Sequence, residues 1–507
     1  MFARVNTVAF EGIEVLPVDV QVQLAPGIPG FSVVGLPDKA VAESRERVRA
    51  AIHALGLSLP PKKIVVNLAP ADQAKEGSHY DLPIALGILQ AMGLIEAEEA
   101  GNYTVLGELA LDGSIHPVSG VLPAAIHANG LNRGIICPEP CGPEARWAGN
   151  RAVLAAPSLL SLLNHFKGLQ SLPDVPMPND LGTQSLPKVD MRSIRGQHTA
   201  RRALEIAAAG KHNLLMSGPP GAGKSMLAAA LPGILPPMDP SEILEASIIA
   251  SIAGQLRDGQ LITSRPFRDP HHSSSVPAMV GGGRKVQPGE ITLAHHGVLF
   301  LDELPEFPRT VLESLRQPLE TGTVSVARVH AHVTYPSRFQ LIAAMNPCRC
   351  GYLDDPERAC SKAPRCAGDY QSRLSGPFLD RIDMHLEVPA VDTLSMLAME
   401  EGEPTETVAA RVQAARNFQQ SRFQKLGLEI RTNSQLSGEQ LLAVAAPDAE
   451  GKALLEQATA TLKLSMRGFT RVLRVARTIA DLEQETQIRK AHMAEALSYR
   501  HLHHLNA

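Results

Sequence analysis

Gly218-Pro219-Pro220-Gly221-Ala222-Gly223-Lys224-Ser225 is the stretch on which the reading of the chain turns. It fits G-x-x-x-x-G-K-[ST], a loop whose glycines let several backbone N–H groups point at one anion. The apolar run Asn213-Leu214-Leu215-Met216 before it predicts a buried strand, and Met226 to Leu231 after it predicts a helix. That context puts the loop at the positive end of a helix dipole. Gly218, Pro219, Pro220, Gly221, Ala222 and Gly223 would cradle the phosphates of ATP, Lys224 would reach the outer ones, and Ser225 would hold magnesium.

Outward from the loop, Val298-Leu299-Phe300-Leu301-Asp302-Glu303 reads as a buried parallel strand ending in two carboxylates. Asp302 would hold magnesium through water, and Glu303 would orient and deprotonate the attacking water. Phe339 to Asn346 is a second apolar strand ending in an amide. Asn346 either senses the outer phosphate or positions water; the plain alternative is a turn cap. In Asp380-Arg381-Ile382-Asp383, Arg381 is an arginine to lend to a neighbouring subunit, or else an ion pair with a flanking aspartate. Arg467, at a helix entrance, is the choice for a second nucleotide sensor, with Arg471 in reserve. Arg474 and Arg477 are expected on a solvated face.

Cys348-Arg349-Cys350, then Cys360 and Cys366, bring four thiols into a short loop rich in glycine, aspartate and proline. Such a set can close a tetrahedral zinc site that supplies folding energy the loop lacks. Four free thiols or a redox pair are the alternatives, and the spacing is not the common C-x2-C. Cys137 and Cys141 lie outside this group. His271-His272 lacks a second ligand pair at metal spacing, so it reads as structural or nucleotide-adjacent.

The 507 residues suit about three domains. A net charge of −4 gives no bulk attraction to nucleic acid, so any DNA site must be a local basic surface. No apolar run is long enough to span a membrane, and Met1 to Asn6 does not open a signal peptide, so a cytoplasmic protein is expected. Residues 13–24 alternate as a strand with a bulge at Leu16-Pro17, and 31–34, 64–68 and 104–106 read as further strands. Helices are expected from an Asp38 cap to Leu55 and over 82–92. Proline and glycine break all periodicity over 167–190, which reads as a linker. Helices then follow from 197 to 209 and again beyond residue 391. The alternating stretch 323–334 is expected as a hairpin with Arg328 and His330 on DNA phosphates. Arg265, Arg268, Arg284 and Lys285 form a second basic patch. For both, a solvated loop is the plain alternative.

Lys75-Glu76-Gly77 and the run from Gly107 to Val121 resemble the Lon-protease-like domain, of ribosomal-S5-like fold. That family carries a Ser–Lys dyad; here His79 falls at the serine and Leu122 at the lysine, with Ser78 one place off. A nucleophile without its base is inert, so a non-proteolytic domain is expected. The order of phosphate loop, Asp-Glu strand, Asn346, Arg381 and Arg467 resembles an AAA+ ATPase. Phe267 to Ser273, Gly281-Gly282-Gly283 and Pro288 to His295 are similar to its magnesium-chelatase-like branch. With the N-terminal part, the chain resembles the YifB/ComM family throughout.

The resemblance implies a mixed α/β fold: a Lon-like domain over 1–166, a linker over 167–190, an AAA+ core with parallel sheet over 191–390 and a helical lid over 391–507. It implies a hexameric ring, a DNA helicase driving ATP-dependent branch migration in recombination of incoming DNA. The alternatives are the motor subunit of a magnesium chelatase, or an ATP-dependent clamp or remodelling protein without helicase activity.

Overall fold

The computed structural model describes residues 1–149, 152–178, 189–256, 258–282, 287–327, 332–353, 358, 360–363, 365–390 and 401–500. Two sheets organise it. The N-terminal sheet has the order Gly30–Val34, Lys63–Ala69, Glu14–Ala25, Phe2–Glu11, Tyr103–Val105, Gly134–Pro138, Val153–Ala156. Its centre is an antiparallel pair in unbroken register from Phe2 opposite Gln23 to Glu11 opposite Glu14. The bulge expected at Leu16-Pro17 is absent: Leu16 faces Ala9 and Pro17 faces Val8. The apolar slip there reflects the end of the pair, where Val15 and Leu16 are only half-buried while Val18, Val20 and Val22 are wholly enclosed. The helix Lys39–Ala54 starts where expected, with the Asp38 carboxylate accepting from the Val41 amide at 2.7 Å.

Between Phe166 and Met191 the described residues form no helix or strand. Leu172 and Val175 lie against the N-terminal core. The second sheet is parallel, in the order Phe267–Arg268, Val298–Leu301, Gln340–Met345, Leu214–Ser217, Met384–Glu387. Its three central strands are buried at every residue. That is why they read as continuous apolar runs and not as alternation. One face carries the helices His198–Gly210 and Lys224–Ile234, and these share a single apolar core with the C-terminal helices Thr405–Lys425 and Met466–Leu482.

Met466–Leu482 corrects one expectation. Arg477 is 1% exposed and lies on Asp481 at 3.0 Å, and Arg474 donates to the Leu436 carbonyl at 2.7 Å. Neither lies on a solvated face. Asp481 also takes Arg422, so the helix is pinned by a buried charge cluster. Removing one partner of such a pair strands the other.

The two sheet systems touch. The Ser251 hydroxyl donates to the Glu144 carboxylate, the Gly120 amide to the Ser251 carbonyl at 3.0 Å, and the Trp147 indole to the Gly259 carbonyl at 2.8 Å. Glu144 also accepts the Leu122 amide at 2.9 Å, and burial pushes its carboxyl above the usual range. The hairpin expected over 323–334 forms from Thr323–Ala327 and His332–Pro336. The turn at Gly12-Ile13 rests on its base: Ile13 packs on Val324, Val333 and Tyr335, and a Cβ at Gly12 would stand 2.7 Å from Val333 Cγ1. Arg328, His330, Arg284 and Lys285 lie outside the described residues. So do the C-terminal histidines beyond residue 500.

Candidate nucleotide site

Three adjacent parallel strands deliver their carboxyl ends to one place, where open α/β sheets put ligands. Leu214–Ser217 delivers the phosphate loop, Gln340–Met345 delivers Asn346, and Val298–Leu301 delivers Asp302 and Glu303. Gly218 sits at a close approach, since a Cβ there would lie 2.1 Å from the Val388 carbonyl oxygen. Gly221 and Gly223 have φ of +78° and +87°, the left-handed turn that aims the loop at the helix Lys224–Ile234.

Lys224 Nζ donates to the carbonyls of Gly218 and Pro219 at 2.7 and 2.9 Å, and to Asn346 Oδ1 at 3.2 Å. Burial lowers its pKa from the ordinary lysine value. Ser225 Oγ donates to Asp302 Oδ2 at 2.9 Å. Lys224, Ser225, Asp302 and Asn346 are therefore one cluster. The donor set fits a magnesium–nucleotide pair: a hydroxyl and a carboxylate for the hard cation, and an ammonium at a helix N-terminus for the phosphates. Asp302 Oδ1 accepts the Glu303 amide at 2.8 Å, and Glu303 has φ of +51°. Such backbone strain in a residue with a side chain concentrates at functional sites.

His272 Nδ1 lies 3.3 Å from Glu303 Oε2. Of the sequence alternatives, this places His272 at the nucleotide end of the sheet. The spacing in sequence could not point to Glu303, thirty-one positions on.

Arg381 and Arg467 lie elsewhere. Both guanidinium groups meet the Glu320 carboxylate, Arg467 at 3.5 Å, and none of the contacts described for either is with the phosphate loop. Arg381 pairs with neither Asp380 nor Asp383, because Asp383 is held by Arg471 and the Asn213 amide. Arg471 is thereby committed to Asp383. Arg381 is 5% exposed, and burial lowers its pKa. The expected patch at Arg265 and Arg268 is also spent internally. Arg268 makes a bidentate pair with Glu290 at 2.6 and 2.7 Å, and Arg265 binds Glu242 and the Pro236 and His296 carbonyls.

Cys348, Cys350 and Cys366 present their sulfurs within 4.8 Å of one another. Cys360 is also hydrogen-bonded to Cys350 and Cys366. The Tyr352 amide and the Cys348 thiol draw the Cys350 thiol down to about 6. Three converging soft donors, with Cys360 hydrogen-bonded to two of them, fit zinc. The loop abuts the phosphate loop: a Cβ at Gly351 would come 2.6 Å from Pro220 Cδ. A second group, Glu245, His295 and His296, does not fit a cation. His295 Nδ1 accepts the Arg338 amide at 2.9 Å, so its Nε2 carries the proton and donates to Glu245 at 3.0 Å.

The place of the dyad in the N-terminal sheet is closed. His79 is buried with its Nε2 2.9 Å from the Val8 carbonyl, and Leu122 is wholly buried. The Phe10 ring stands edge-on to His79 and fills the space beside Gly120. Ser78 is bonded to Glu108.

Sequence profiles agree with this geometry. The one described as magnesium chelatase, subunit ChlI, matches residues 190–396; subunit ChlI of Mg-chelatase matches 20–140, and the ChlI C-terminal profile matches 402–500. The YifB protein of Salmonella typhimurium is 43% identical over 500 residues, 98% of this chain and 97% of its own. The competence protein ComM of Haemophilus influenzae is 41% identical over 502 residues, 98% and 97% of the two chains. The magnesium-chelatase 38 kDa subunit of Rhodobacter capsulatus is 26% identical over 187 residues, 34% of this chain and 53% of its own. Among the described residues no helix is long and apolar enough to cross a membrane.

Proposed function

Because the chain belongs to the magnesium-chelatase-like AAA+ family that includes the YifB and ComM proteins, we propose that it is an ATP-driven motor working on branched DNA. The observation that carries the reading is the single cluster of Lys224, Ser225, Asp302 and Asn346 at adjoining strand ends. Bound Mg·ATP supplies the phosphoanhydride bond to be broken. Lys224 and the loop amides hold its phosphates, Ser225 and Asp302 the cation. Glu303, steadied by His272, takes the proton of the attacking water, and Asn346 aligns that water against the phosphate.

Arg381 and Arg467, paired on Glu320 away from the phosphate loop, are offered to the nucleotide of a neighbouring protomer. A closed ring, a hexamer in this reading, is the assembly that gives every site such a neighbour. The C-terminal helices act as the lid. The four thiols hold a structural zinc ion that braces Pro220 of the phosphate loop. The N-terminal domain is a Lon-like fold without protease chemistry, consistent with buried His79 and Leu122. The hairpin from Thr323 to Pro336 is the DNA-gripping element, with Arg328 and His330, between its two strands in sequence, as the phosphate-binding residues, and Arg284 and Lys285 are further candidates. The ComM relationship, at nearly full length, favours branch migration in the uptake of transforming DNA over a chelatase role, for which the relative spans a third of the chain.

The test is ATP turnover and four-way-junction migration by the purified protein. Migration with ATP and none with a non-hydrolysable analogue is expected. Turnover indifferent to forked and four-way DNA, with no migration, would remove the DNA part of the reading.

A further inference from the structure

At the opposite end of the parallel strands from the phosphate loop, a 190 Å³ cavity lies between the sheet and the C-terminal helices. Three sheet-side cations reach it just before their strands: Lys211, Arg265 and Arg338. Arg416, on the helix Thr405–Lys425, and Arg431 close it from the other side. We propose that this cavity is a second anion site, built for a small multivalent phosphate, that ties the sheet to the C-terminal helices when filled.

The carboxylates of the wall are already taken. Glu242 is paired with Arg265 at 3.0 Å, Asp239 with Arg431, and Glu245 with His295 and His296 at 3.0 and 2.7 Å. Among the described residues no carboxylate lies within ion-pair distance of Lys211, Arg338 or Arg416, and Glu242, already paired with Arg265, only partly offsets the charge on Lys211 and Arg416. Lys211 Nζ donates only to the Arg338 carbonyl at 3.1 Å, and Arg416 Nη2 to the Ala208 carbonyl at 2.7 Å. Arg416 Nε is buried without a partner. The crowding registers on both groups. Burial, Arg265 and Arg416 push the Lys211 ammonium down to about 7, and burial and Arg265 push Arg416 down to about 9. A group left so short of counter-charge in a confined space is relieved by an anion.

The lining selects the class. Forked guanidinium donors match phosphate oxygens, and three uncommitted cations call for more than one negative charge. Among the described residues no Phe, Tyr or Trp lines the cavity, and the His296 imidazole is held by Glu245, so the wall favours phosphate oxygens over a base. The ligand is a free phosphate anion or the phosphate end of a nucleotide whose base stays outside. A cation is excluded by the wall itself, where five cationic side chains face three carboxylates that are already paired. The inference stands on the cavity and not on the ATPase reading.

The experiment is calorimetric titration of pyrophosphate, without magnesium, into the full chain carrying Lys224→Ala. Binding is expected, weakened about tenfold or more by Arg338→Gln, an exposed residue whose replacement leaves the fold intact, and likewise by Lys211→Gln. ADP as competitor separates the sources: displacement assigns the site to a nucleotide's phosphates, no displacement to the free anion. Absence of binding in the millimolar range, or affinity unmoved by both substitutions, overturns the proposal.

Discussion

His272→Ala separates a residue that steadies the base from one that does chemistry. His272 and Glu303 face each other at 3.3 Å, with side chains 36% and 51% exposed. A pair that open to water is worth about 0.2–1 kcal/mol after solvent screening. If that energy serves to hold Glu303 in line, its loss lowers kcat by about 1.5- to 5-fold. KM for ATP stays put, because His272 makes none of the phosphate or metal contacts at Lys224, Ser225 and Asp302. Glu303→Gln keeps the shape but removes the base, and should cost about a hundredfold or more in kcat while bound ATP persists. Steady-state turnover over a range of ATP concentrations measures both. A loss of a hundredfold for His272→Ala would make the imidazole itself a reacting group. Turnover within threefold of wild type for Glu303→Gln would remove Glu303 from the chemistry.

Lys224→Ala should abolish nucleotide binding in an equilibrium assay with a fluorescent ATP analogue, since no other described cation lies against Asn346 and the loop carbonyls. Metal analysis of the purified protein should find about one zinc per chain, and Cys348→Ser or chelation should lower the melting temperature; less than about half an equivalent counts against a closed thiol site. Arg477→Met should cost about 1–3 kcal/mol in chemical denaturation, because the Glu485 and Thr486 carbonyls lose their donor while Asp481 keeps Arg422. Glu144→Ala strands the Ser251 hydroxyl and the Leu122 amide, at about 1–3 kcal/mol each, and should speed proteolytic release of the N-terminal domain. Because burial raises the Glu144 pKa, the charged carboxylate is disfavoured in the folded state. Its contribution is therefore better below the unfolded carboxylate value and worsens as pH rises from there through the raised folded value.

What the sequence revealed follows from how local the cause is. The phosphate loop is legible because its glycines, lysine and strand–helix flanks are contiguous, and the structure puts Ser225 on Asp302 as that reading requires. The strand Phe2–Glu11 escaped because it is central. Val5 to Ala9 are all buried, with no alternation to detect, and its buried Asn6 and Thr7 are satisfied by the distant carbonyls of Gly101 and Val105. Arg477 carried a missed signal. Asp481 lies one helical turn on, with apolar residues on both sides, a pattern for a buried pair. Arg381 could not be placed from its neighbours, because Glu320 comes from another element altogether.

The seat of Ile13 on Val324, Val333 and Tyr335 has a mechanical corollary. The two strands that end at this turn run side by side for ten residue pairs, a stiff rod rooted in the centre of the N-terminal sheet. A load applied to the hairpin passes along that rod into the whole N-terminal domain. The compliance of the hairpin is therefore set in part by the stiffness of the sheet behind it.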